Sequence, residues 1–391
     1  MGEFINICAG ADINSLPESS VEALLFNVID HCSSPSKIEA AMEMYRLIQP
    51  KYSMLDSSGY HVLKAEMAAK RLSFNPDLPP KWTSREINIA AKHVMESALV
   101  FHPYMLDIVI GLDFPIRKLK DVNSPETEFF NKLDYNVRWA VQSAAWWKEL
   151  CPQVKFFLPI QCYDLHQFNV FWGRVGGLDH DGVSMPIRNL EIPEIALFLV
   201  KFYQLGIKRV HLLGTSQFFS IALCAYMARH VFEWVSIDAS SWRKAADNAE
   251  CFNPFDLSRE KLGSRVVINH EFENDCPCPF CTEKSFNDIK NLEFADKCSL
   301  LRQHNWWVLN KAFQDLYDHS SDIIQLEKFL KTRSKHPAKV DELISVLSLI
   351  DMMKDSEISL LQALLGFNHS IGNHPAHSGG KPCLPERQCP K

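Results

Sequence analysis

Asp107-Ile-Val-Ile-Gly-Leu-Asp113 places a short β-branched run directly before an aspartate, and Phe114-Pro115 then turns the chain away. Such a run reads as a buried strand that delivers a carboxylate at its C-terminal end. Working outward, seven more runs have the same character. They are Phe4 to Cys8, Tyr52 to Leu55, Lys155 to Ile160, Val170 to Val175, Arg209 to Leu213, Trp234 to Ile237 and Arg265 to Asn269. A helical pattern follows each run, which is the signature of βα units and a parallel sheet. Eight units over this length predict an α/β chain folded as a (β/α)8 TIM barrel in preference to an open doubly wound sheet. Helix punctuation agrees. Ser124-Pro125-Glu126 offers a cap, a first-turn proline and an acid, and the helix from about Pro193 to Gln204 stops at Gly206. Residues 219–233 and 338–366 read as further amphipathic helices.

The chain has 391 residues, is 47% hydrophobic and carries a formal net charge of -6. The length and apolar content supply a large core, and the charge argues against a general coat for nucleic acid while leaving room for a local basic stripe. No basic region precedes an apolar segment at Met1-Gly-Glu-Phe-Ile-Asn6, and the apolar runs are too short to span a bilayer, so a cytoplasmic protein is expected. Twelve cysteines without a secretory signal read as reduced thiols.

Three of those cysteines stand out. Cys276, Cys278 and Cys281 lie within six residues, and His304 follows in Leu301-Arg-Gln-His-Asn-Trp306. Three thiols and one imidazole make a closed tetrahedral Zn2+ site, with a disulfide framework as the alternative. Four protein ligands leave no open position, so the expected metal is structural and a zinc-dependent hydrolase is disfavoured.

The strand ends carry the chemistry. In a (β/α)8 barrel the C-terminal mouth is the reactive face, and the predicted strands end in Asp56-Ser-Ser-Gly-Tyr60, Asp113, Gln161, Gly176-Gly177-Leu178, Leu213-Gly-Thr215 and Asp238. Taken singly, Asp56 suits an Asx turn, Asp113 a loop and Asp238 a helix cap. Three carboxylates on one mouth raise one another's pKa, which favours a chemical role. Two of them can displace a group at an anomeric carbon, one as nucleophile and one as acid and base.

In order and spacing, Asp56-Ser-Ser-Gly-Tyr60, the Asp107 to Asp113 run, Gln161, Gly176-Gly-Leu178, Leu212-Leu-Gly-Thr215, Asp238 and the cysteine and histidine set resemble the motifs of tRNA-guanine transglycosylases. The resemblance covers roughly residues 50 to 315. It implies a glycosyltransferase (a pentosyltransferase) that exchanges bases, with Asp238 as the nucleophile at C1′ and Asp56 as acid and base. It further implies that Asp113 and Gln161 read the guanine-like edge, that Gly176 and Gly177 present backbone groups, and that Tyr60 and Leu213 sandwich the base. No organic cofactor is implied.

The tRNA enzymes follow their nucleophile with a run of the form Pro-Thr-Arg-Asn-Ala-Arg; here Asp238 is followed by Ala-Ser-Ser-Trp-Arg-Lys244, and Gln161 by Cys162. These departures resemble the DNA-acting branch, which exchanges guanine in DNA for 7-cyano-7-deazaguanine or a related 7-deazaguanine base in DNA modification. DNA is thus the expected partner, with tRNA, in queuosine- or archaeosine-type exchange, as the alternative and a non-catalytic partner subunit as a third reading. A partner ATPase and a homodimer are compatible with the resemblance. Trp242, Arg243 and Lys244 are the expected nucleic-acid contacts, with Arg117, Lys118, Lys120 and the run Lys331 to Lys339 as further basic candidates. The expected organisation is a catalytic barrel over 1–269, a zinc-binding subdomain over 270–315, C-terminal helices over 316–367 packing on the barrel, and a disordered tail over 368–391.

Overall fold

The computed structural model describes residues 2–9, 16, 21–102, 104–117, 125–262, 276–281 and 286–352. Eight parallel strands close into a barrel: β1 Glu3–Ala9, β2 Ala23–Asn27, β3 Tyr52–Asp56, β4 Ile108–Ile110, β5 Lys155–Pro159, β6 Gly182–Pro186, β7 Arg209–Leu213 and β8 Trp234–Asp238. Each pairs with its neighbours in chain order, and β8 closes onto β1 with Ile7 opposite Asp238. The period of two divides each strand between two cores. Ile5, Ile7, Met54, Ile108, Ile110, Phe157 and Trp234 pack inside the barrel. The alternate residues, among them Leu24, Leu55, Val109, Phe156, Val210 and Ile237, pack outward against the helical layer.

Six of the eight expected strands are present in whole or in part, and two are not among the barrel strands. Val170–Val175 is the second half of a helix, Leu165–Val175, capped by Asp164, whose side chain accepts from Gln167 N at 2.8 Å. Phe168, Phe171 and Val175 are buried at helical spacing, so tertiary packing of an apolar stripe overrides the β-branched residues. The other expected strand, 265–269, lies outside the described residues, and the barrel closes without it. In their places stand β2 and β6. The first is leucine-rich and runs directly into a short helix; the second is bounded by Gly182 and Pro186, both of types depleted in strands, and holds a single β-branched residue, Val183.

The cysteine stretch therefore does not come straight off the eighth strand. A helix, Ser241–Asp247, and an antiparallel pair, Glu250–Phe252 with Arg259–Lys261, intervene. The Phe294–His319 helix runs unbroken through the boundary expected at 315, packing on the Ser241–Asp247 and Phe218–His230 helices. Pro337–Met352 packs on the Ile192–Gln204 and Phe218–His230 helices. Residues 353–391, including the expected tail, lie outside the described residues. The helix expected over about Pro193 to Gln204 spans Ile192–Gln204, and Gly206 just beyond it adopts φ +77°, which glycine takes without a Cβ penalty. Among the described residues no helix is long and apolar enough to cross a membrane.

Candidate active site

A cavity of about 480 Å³ opens at the C-terminal mouth of the barrel. Asp56 enters it from the end of β3, Asp113 from the loop after β4, Gln161 from the loop after β5, Leu213 from β7 and Asp238 from the end of β8. Tyr60 lines it from the first turn of the Gly59–Met67 helix, and Arg243 and Lys244 from the Ser241–Asp247 helix.

The backbone after β3 is shaped to bring two of the carboxylates together. Ser58 is left-handed at φ 72°, an unusual conformation for a residue with a Cβ. Its neighbours hold it there: Ile29 N donates to Ser58 Oγ at 3.0 Å, the hydroxyl donates to Asn27 Oδ1 at 3.2 Å, and Ser58 N donates to Asp56 Oδ2 at 3.0 Å. The next residue must be glycine, because a Cβ on Gly59 would lie 2.2 Å from Asp113 Oδ1. Asp113 in turn accepts from Ser57 Oγ at 2.8 Å on Oδ1 and from Gln161 Nε2 on Oδ2. The Gln161 amide is oriented from its other end, where Oε1 accepts from Ile116 N at 3.3 Å.

Burial dominates the electrostatics. It raises Asp56 from 3.8 to about 7, with repulsion from Asp113 and then Asp238 adding to it and the Ser58 amide opposing it. Burial also raises Asp113 to about 6 against the hydrogen bonds of Ser57 and Gln161. Asp238 rises to about 6 by burial, against the Gly214 amide, which donates to its Oδ1 at 3.1 Å. Burial thus lifts all three carboxyls toward the neutral range, Asp56 furthest, which suits proton exchange at the mouth.

The expected base-binding and nucleic-acid residues divide. Asp113, Gln161, Tyr60 and Leu213 share the cavity with Asp56 and Asp238. Gly176 and Gly177 do not: they end the Leu165–Val175 helix, which runs back from the mouth, and precede β6 at the opposite end of the barrel. Pro186, Arg188 and Asn189, at and beyond the end of β6, line the cavity there instead. Trp242 is 1% exposed and packs against Trp306 with ring centroids 5.2 Å apart, so it belongs to the core and offers no surface to nucleic acid. Arg243 and Lys244 do face the cavity, as does Arg117, which is ion-paired with Glu128. Lys118 and Lys120 lie outside the described residues. Lys331 bonds to Glu327 and Arg333 faces Asp315 on the C-terminal helices, away from the cavity lining.

Asn27 and Arg188 line the cavity without having been expected there. Asn27 ends β2, and Arg188 is the first polar residue after β6; the composition of those two strands hid both.

A second constellation lies apart from the cavity lining. The Sγ atoms of Cys276, Cys278 and Cys281 stand 3.6, 3.3 and 3.3 Å from His304 Nδ1, and all four donor atoms fall within 4.8 Å of one another. A tetrahedron with metal–sulfur bonds of about 2.3 Å and a metal–nitrogen bond of about 2.05 Å has S···N edges of roughly 3.5 Å, so the donor set can hold one metal ion at its centre. His304 Nε2 lies 2.9 Å from the carbonyl oxygen of Phe252. Donation there keeps the proton on Nε2 and presents the Nδ1 lone pair to the thiols as a ligand atom.

No protein-family model and no curated protein sequence matches the chain. Fold and geometry define a closed parallel α/β barrel with a carboxylate-lined mouth and a separate Cys3His cluster able to bind metal.

Proposed function

We propose that the chain is a DNA-guanine transglycosylase, exchanging guanine in DNA for a 7-deazaguanine base through a covalent glycosyl-aspartate, with zinc held structurally by the Cys3His cluster. The observation that carries the reading is the convergence of Asp56, Asp113 and Asp238 on one cavity, with Gln161 bonded to the second of them. A purely structural role gives no return for burying three like charges together.

The roles are those the resemblance implies, and the environments are compatible with them. Asp238 attacks C1′ through a carboxylate oxygen; the C1′–O bond forms as the C1′–N9 bond breaks, and guanine leaves with the electron pair. Asp56, raised to about 7, delivers the proton that neutralises the leaving base. The resulting Asp56 carboxylate takes the N9 proton of the incoming base, which attacks C1′ and returns Asp238 as a carboxylate. Two displacements at C1′ restore the original configuration. Asp113 and Gln161 supply acceptor and donor groups for the edge of the base, and Tyr60 and Leu213 supply an aromatic ring and an apolar side chain for its faces. Reaching C1′ requires the nucleotide to leave the duplex stack.

The test is incorporation of labelled 7-cyano-7-deazaguanine into single-stranded DNA, duplex DNA or tRNA. Label in DNA, with an adduct resistant to denaturation that is absent from Asp238→Ala, is the expected result. Label in tRNA alone would overturn the DNA assignment, and no label with any acceptor would overturn the activity.

A further inference from the structure

Directly beneath the cavity the barrel interior changes character. Its packing is apolar around β1, β3, β4 and β5, but at one level of β6, β7 and β8 it carries Ser184, His211 and Ser236, which are register partners. All three are fully buried. His211 Nδ1 lies 2.8 Å from Ser236 Oγ. His211 Nε2 has no hydrogen-bond partner, and it stands 3.7 Å from Asp238 Oδ1. Ser184 Oγ is likewise buried and unpaired.

A buried ring nitrogen without a partner costs free energy, on the order of 1–3 kcal/mol, unless some state of the protein satisfies it. Burial depresses His211 to about 3, so the imidazole is neutral and carries a single proton. With the Ser236 hydroxyl donating to Nδ1, that proton sits on Nε2 and faces the carboxylate. A separation of 3.7 Å is just beyond hydrogen-bond reach, and catalytic hydrogen bonds are often long before substrate binds.

We propose that His211 is a positioning residue for Asp238: its Nε2–H closes onto Oδ1, joining the Gly214 amide there, and so fixes the carboxylate with Oδ2 as the oxygen that attacks C1′. The inference rests on the transglycosylase reading for its reaction and on the barrel geometry alone for the pairing. It also accounts for the polar layer, since Ser236 sets the tautomer that His211 needs.

Two measurements on the full chain test it. Side-chain ¹⁵N NMR at neutral pH should show His211 as the Nε2–H tautomer, with that signal displaced by Asp238→Asn. An Nδ1–H tautomer would overturn the proposal. Single-turnover adduct formation on guanine-containing DNA should fall about 10- to 100-fold in His211→Phe, as for loss of one hydrogen bond to a charged group, and recover to within about threefold of wild type in His211→Gln. Wild-type rates in the Phe variant, or no recovery with Gln, would overturn it. Ser236→Ala, a smaller change in the same layer, should shift the tautomer and slow adduct formation even if the Phe variant does not fold. If wild type itself forms no adduct, the transglycosylase reading fails, and the tautomer measurement still decides whether His211 addresses Asp238.

Discussion

Replacing Asp56 by Asn should stabilise the protein at alkaline pH while abolishing the proposed base exchange. Folding raises Asp56 from 3.8 to about 7, chiefly by burial and then by repulsion from Asp113. Between about pH 4 and pH 7 the folded chain therefore holds a proton that the unfolded chain has released. The stability this group contributes is fully present below about pH 4 and is lost as pH rises through about 7. At 1.36 kcal/mol per pH unit the gap corresponds to a ceiling of about 4 kcal/mol. Coupling to Asp113 and Asp238 and the open cavity reduce this to an expected 1–2 kcal/mol or so. Asparagine keeps an oxygen for the Ser58 amide and has no proton to lose. Urea unfolding of both proteins at pH 4.5 and pH 8 reads the difference directly: the variant should gain on wild type at the higher pH. A stability difference independent of pH, or one that moves the other way, would refute the electrostatic account of the mouth.

Gly59→Ala would push a methyl group to within 2.2 Å of Asp113 Oδ1, displacing the carboxylate from Ser57 and Gln161; thermal denaturation should show a loss of about 1–3 kcal/mol, as for overpacking, together with weaker binding of the free base. Cys278→Ser should lose stoichiometric zinc by elemental analysis and unfold at lower temperature, because the remaining three ligands leave the site incomplete. Trp242→Ala should cost about 3–5 kcal/mol in urea unfolding as a core truncation. Lys244→Ala should leave folding intact, weaken DNA binding and lower the salt slope of that binding by about 1; an unchanged slope would remove Lys244 from the phosphate contacts.

The barrel was legible wherever buried strands are β-branched or strongly apolar, as in Ile108–Ile110 and Arg209–Leu213. It was illegible where the barrel's own geometry relaxes that demand. Gly182–Pro186 succeeds as a strand because both neighbours supply its ladder and Gly182 packs close to Phe157, so its weak propensity costs little. That one misreading moved the diglycine from the helix end to the mouth, since Val170–Val175 was read as the fifth strand. The carboxylates were legible because they follow strands that were read correctly. Trp242 was misread for a different reason: next to Arg243 and Lys244 it resembles a stacking platform, and only the Phe294–His319 helix packing over it makes it core. No local pattern announces a contact made across more than sixty residues.

That same helix ties the metal cluster to the mouth. His304 and Asn305 are adjacent on it, and their bonds diverge: His304 Nε2 bonds to the Phe252 carbonyl, while Asn305 Nδ2 donates to the carbonyls of Trp242 at 3.0 Å and Glu250 at 3.1 Å. Asn305 Oδ1 also accepts from Phe252 N at 2.7 Å. Arg302, one turn earlier, bonds to Asp247, which also faces Arg243. The segment 242–252, which begins four residues after Asp238 and carries Arg243 and Lys244, is thus held largely by the turn of helix that presents His304. A metal ion held on His304 would fix that turn without touching the cavity. Under the proposed function, removing such an ion should impair DNA binding through Arg243 and Lys244 more than binding of a free base at Asp113 and Gln161, whose supports lie on β3, β4 and β5 and their loops. Comparing the two affinities before and after chelation, at a temperature where the barrel remains folded, separates a metal that orders the nucleic-acid side from one that merely stabilises the whole; equal losses would show the second.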